Sequence, residues 1–160
     1  MKLIRRCTIA LVFIAVAVVA QQKPAQKPDA EMGAIINLRK LAMAESAYAM
    51  GHPKEGFACD PQVLTKLEWP GSPSHAPLVD PALLTGAGEY KFSAQCDGTS
   101  KPAGKLNVFA VPLEPNAGLR TFCATGTFQT FPFTGTSEFP IRNVSGGTPE
   151  ICLAAGQPLK

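Results

Sequence analysis

Five cysteines and two histidines have the widest chemical repertoire in this 160-residue chain: disulfide formation, thiolate attack or metal ligation. Beyond Cys7, the cysteines Cys59, Cys96, Cys123 and Cys152 are separated by 36, 26 and 28 residues, with no CxxC or HxxxH pair. That spacing does not assemble a zinc site. His52 and His75 stand in no motif that would activate a cysteine nucleophile, and no two carboxylates can be assigned acid and base roles from spacing alone. No catalytic residue, metal or cofactor is therefore expected. Oxidative pairing remains, and four cysteines allow three pairings. The sequential one, Cys59–Cys96 and Cys123–Cys152, ties each loop to its nearest strand region and is the expectation. Closing loops of this size contributes roughly 3–4 kcal/mol each, a large share of a total near 5–15 kcal/mol.

Disulfides need an oxidising compartment, and the N-terminus supplies a route there. Residues 1–20, MKLIRRCTIALVFIAVAVVA, have a basic start, an apolar run over Ile9–Ala20 and small residues at its close. This is the pattern of a cleavable export signal. Twelve apolar helical residues span about 18 Å against a hydrocarbon core of about 30 Å, so no stable membrane span is expected after cleavage. An uncleaved anchor is the alternative. Residues 21–29 read as a polar, proline-containing tether, and residues 30–160 as one globular domain in the periplasm or outside the cell. Lys2, Arg5 and Arg6 fall in the signal, so twelve basic and twelve acidic residues remain. A chain so balanced lacks the basic stripe that nucleic-acid binding requires.

The elements that must position the cysteines begin with a helix over Ala34–Met50, AIINLRKLAMAESAYAM, closed by Gly51 and Pro53. Asp29 is its expected N-cap, with Glu31 in the first turn. At 100° per residue, Ala34, Ile35, Leu38, Leu41, Ala42, Tyr48 and Ala49 share one broad side that needs a cover. Glu45 falls on the same side, either as a buried carboxylate that pairs across a subunit contact or receives a ligand, or as a boundary residue meeting water or a backbone amide. Met32, Ile36, Met43, Ala47 and Met50 form a second apolar stripe. Either the segment Phe57–Trp69 covers it or a partner protein does.

His52–Gly88 is a long connection in which Asp60-Pro61 and Asp80-Pro81 each predict a capped helical turn. Alternation then predicts strands at Tyr90–Cys96, Lys105–Val111 and Leu119–Thr125, a turn at Gly126, and a Phe- and Thr-rich fourth strand over Thr127–Phe133. The Gly-, Pro- and Ser-rich tail from Thr134 is expected to be irregular and pinned by Cys152. Trp69, Phe128, Phe131 and Phe133 are core or, alternatively, a ligand platform. The fold class is thus α+β: one long N-terminal helix packed on a four-stranded antiparallel sheet, loop-rich, with two disulfides.

Several stretches resemble the globular heads of bacterial type IV pilin-like proteins and pseudopilins. The helix carries Ala34, Ile35, Leu38, Arg39, Ala44, Glu45 and Tyr48 in an A-I-x-x-L-R…A-E-x-x-Y pattern. LVDPALLTGAGEYKF (Leu78–Phe92) is similar to the loop entering their first strand, NVFAVPLEPNAGLRTFC (Asn107–Cys123) to their hairpin, and EICLAAGQPLK to their C-terminal close. The N-terminus departs from the prepilin type: the apolar run is short, and no residue matches the assembly glutamate. The resemblance implies one helix packed on a four-stranded antiparallel sheet with a disulfide-tied C-terminal region, and the departure implies a freestanding head. It also implies a non-enzymatic role through protein–protein contact with pilus or secretion-system subunits or at the surface. The alternatives are a small periplasmic ligand-binding protein, for which Trp69 and Phe131 would line a closed pocket, and a secreted hydrolase, for which a cleft would set His52 or His75 against a carboxylate.

Overall fold

The computed structural model describes residues 27–69, 75–86, 88–98, 101–114, 117–127 and 139–159. The export signal, most of the tether, and Phe128, Phe131 and Phe133 lie outside the described residues. Helix α1 (Lys27–Gly51) is followed by the short helices α2 (Pro61–Leu64) and α3 (Pro81–Gly86). Strands β1 (Tyr90–Cys96), β2 (Lys105–Pro112), β3 (Arg120–Thr127) and β4 (Ile141–Ser145) come next, then helix α4 (Pro149–Ala155) and the two-residue strand β5 (Gln157–Pro158). The five strands form an antiparallel meander in chain order.

The α1 helix starts earlier than its sequence signals indicate. Asp29 lies in the first turn instead of capping it, and the helix takes in the last residues of the expected tether. Its Leu38, Leu41, Ala44 and Ala49 are fully buried, with Ile35, Ala42 and Tyr48 nearly so. The cover is the inner face of the sheet, built from alternate residues such as Phe92, Val108 and Phe122. Alternation follows from the two-residue period of a strand, and the register brings Phe92 opposite Ala110 and Ala110 opposite Phe122. The two short helices start as expected. Asp60 Oδ1 accepts from the Gln62 N–H and Asp80 Oδ1 from the Ala82 N–H, both at 2.9 Å.

Two sequence expectations are corrected. Among the described residues the sheet has five strands where four were predicted, because the tail is regular: β4 pairs with β3, α4 follows, and β5 pairs with β4. The predicted fourth strand, Thr127–Phe133, does not begin as a return strand, since Thr127 is the last residue of β3 and pairs with Lys105; residues 128–133 lie outside the described residues. Gly126 is no turn either. It sits within β3 opposite Leu106, and a side chain there would collide with the Phe139 ring. The glycine is needed for a close approach, and the strand runs through it.

The outer face of the sheet is only partly covered. There α4 lies over β3 and β4, and Phe109, Cys123 and Cys152 form a second small core flanked by Val111, Val144 and Leu153.

Candidate interaction surface on the first helix

The described cysteines are paired as Cys59–Cys96, with 5.1 Å between Cα atoms, and Cys123–Cys152, with 6.0 Å. The first ties the loop after α1 to the end of β1. The second fastens α4 to β3 over Phe109. Both pairings follow the sequential expectation, and both make the cysteines structural.

Two buried glutamates anchor α1. Glu31 is 7% exposed, and its Oε2 accepts from Arg120 Nη2 at 2.7 Å and Nε at 3.0 Å. Its Oε1 accepts from the Arg120 backbone N–H at 3.1 Å. This forked geometry suits a guanidinium. Arg120 also donates to Asn143 Oδ1 at 3.3 Å and lies 5.4 Å over the Phe122 ring, while the Tyr90 hydroxyl donates to the Arg120 carbonyl at 2.9 Å. The Glu31 hydrogen bond raises the Arg120 pKa further, and burial, reinforced by the Glu31 charge, holds the Tyr90 phenol protonated. The start of α1 is thereby pinned to β1, β3 and β4.

Glu45 is fully buried. Its Oε2 accepts the Ala58 N–H at 2.9 Å, and its Oε1 has no hydrogen-bond partner among the described residues. Burial, countered in part by the Ala58 hydrogen bond and assisted by the Asp60 charge, pushes its pKa up to about 7. The carboxyl therefore tethers the Cys59 loop to α1. It meets a backbone amide, as in the simpler expectation, but fully buried and not at a boundary. Nearby, the Tyr48 ring stacks on His52 at 4.1 Å and its hydroxyl donates to Glu55 at 2.8 Å.

Opposite the buried side lies the second apolar stripe, and it is open. Met32 is 57% exposed, Ile36 46%, Met43 62% and Met50 58%; Ala47 is half-buried against the core. Segment Phe57–Trp69 does not cover the stripe. It packs Phe57 and Leu64 into the core and gives its Ala58 amide to Glu45, on the other side of the helix. A helix apolar on both sides carries no clear amphipathic pattern, so spacing alone could not distinguish a covered stripe from an open one.

Other clefts carry less. Trp69 lines an open groove of about 400 Å³ with Lys40, Pro77, Asp80 and Leu83, so Trp69 belongs to an open wall and not to a closed pocket. His75 does meet a carboxylate, Glu68 Oε2 at 2.7 Å, but both side chains are mostly in solvent, 78% and 55% exposed. His52 is occupied by Tyr48, whose carbonyl lies 3.0 Å from Nδ1. Among the described residues, neither histidine is hydrogen-bonded to a nucleophile. Among the described residues no group of three His, Cys, Asp or Glu side chains could hold a metal, and no helix is long and apolar enough to cross a membrane.

Comparison with protein-family models, with curated proteins and with solved structures finds no match. What the chain does has to be read from its own surfaces.

Proposed function

We propose that the chain is an exported, non-enzymatic, pilin-like domain that works by protein–protein contact, as an accessory to a pilus or secretion fibre or as a surface module. The observation that carries this reading is the exposed stripe of Met32, Ile36, Met43 and Met50 on a helix whose opposite side is sealed by the sheet. Large unbranched thioethers in open water are costly to leave bare and well suited to an adaptable contact. Two disulfides favour an oxidising compartment, the periplasm or the cell exterior. The helix-on-meander arrangement is the one the pilin-like resemblance implies, with one more strand.

The test is complementation of a deletion strain with Met43→Glu, a substitution at a solvated position that leaves the core intact. The exported level should match the wild type, while surface-fibre number or secretion falls. Full restoration of both by Met43→Glu removes the stripe from function. The groove beside Trp69 favours a second reading, a small-ligand site, which isothermal titration with aromatic and cationic small molecules would detect.

A further inference from the structure

The exposed stripe is narrower and more ordered than an apolar patch. Asp29, Met32, Ile36, Lys40, Met43, Ala47 and Met50 follow one another at intervals of three, four, four, three, four and three residues. At 100° per residue they fall within an arc of about 80°, with Arg39 at one margin. All but Ala47 are exposed. Met32, Ile36, Met43 and Met50 make it a narrow apolar seam on which a second helix could pack, with one carboxylate near its start and one ammonium eleven residues later. Asp29, Arg39 and Lys40 form no ion pair among the described residues.

We propose that the occupant of this seam is α1 of a second copy of the chain, running antiparallel. The inference rests on the reading of the stripe as a contact surface and names its partner. Charge decides the direction. A parallel pair sets Asp29 against Asp29 and Lys40 against Lys40. An antiparallel pair with its two-fold axis at Ile36 packs Ile36 on itself and lays each Met43 beside Asp29 of the other copy. It also leaves Asp29 about 4.5 Å along the axis from Lys40 of the other copy, at 1.5 Å per residue, within reach of a lysine stem. Both cross pairs then join opposite charges. The seam points away from the sheet, so the two domains sit on opposite outer sides of the helix pair. The overlap, Asp29 to Met43, is about 21 Å long, and an interface of that size belongs to the weak, transient class.

Sedimentation equilibrium of the purified, disulfide-bonded protein from about 5 to 500 µM, where weak pairs become populated, tests the pairing. The wild type should move from monomer toward dimer, and Ile36→Glu should remain monomeric. Asp29→Lys and Lys40→Asp should each weaken association roughly tenfold, and an equimolar mixture of those two should associate at least as tightly as the wild type. All three positions are solvated, and unchanged circular dichroism and melting temperature confirm that the variants fold. A wild type that stays monomeric across the range overturns the pairing, as does a mixture no tighter than either variant alone. If the wild type is monomeric but Met43→Glu still loses the surface phenotype, self-pairing fails while contact with a different protein stands; if that phenotype is also unaffected, both readings fall.

Discussion

Replacing Glu45 with glutamine should change how stability depends on pH more than it changes stability at any single pH. The carboxyl is fully buried, holds the Ala58 amide with one oxygen, and leaves the other unpaired among the described residues. Burial raises its pKa from 4.5 to about 7. The folded chain thus binds this proton more tightly than the unfolded chain, and its stabilising effect is complete below about pH 4.5, declines as pH rises and is gone above about pH 7. At about 1.4 kcal/mol per pH unit across that window, the loss comes to about 3 kcal/mol, a sizeable part of a typical total of about 5–15 kcal/mol. Glutamine keeps an acceptor for Ala58 and does not ionise. Urea unfolding of both proteins, disulfides intact, at about pH 4, 5.5, 7 and 8.5 separates this effect from any fixed cost of burying the amide, because only the difference between the two curves matters. The glutamine variant should gain on the wild type by about 3 kcal/mol between the extremes. A difference that is flat with pH, or that runs the other way as for a carboxylate stabilised in its charged form, refutes the reasoning.

Glu31→Gln should cost about 1–2 kcal/mol in denaturant unfolding, below the cost for a fully buried pair because the Arg120 side chain is 37% exposed. Converting Cys123 and Cys152 together to serine should cost about 3 kcal/mol and free α4 from Phe109, read as faster proteolysis within residues 139–159. Gly126→Val should cost about 1–3 kcal/mol by driving the side chain into Phe139, whereas a turn at that position would tolerate it better; thermal melting distinguishes the two.

Local periodicity made much of this fold legible. The buried side of α1 and the alternation in β1 and β2 are short-range patterns, and so are the Asp-Pro starts of α2 and α3. The strand β4 was not legible because IRNVS is short, lies between Pro140 and Gly146, and buries only Ile141; it is a strand because the edge of β3 gives it a partner. Gly126 was misread because glycine marks close approach as well as turns, and the aromatic ring that approaches lies thirteen residues away. Glu31 looked like a first-turn residue answering the helix dipole, since its partner Arg120 is 89 residues distant. Glu45 showed its side of the helix but not the Ala58 amide that it holds. For the Met stripe, spacing revealed the stripe but not its exposure, which depends on where the loop after α1 runs.

The methionines of that stripe are also its most direct probes, because thioether oxidation follows solvent access. Hydroxyl-radical footprinting of Met32, Met43 and Met50 should be carried out on the dilute purified protein and on the protein in its host cells. If α1 offers this seam to a partner, all three are oxidised readily in dilute solution, and Met32 and Met43, which lie within the overlap, are protected in place. Equal oxidation in the two settings would contradict the account.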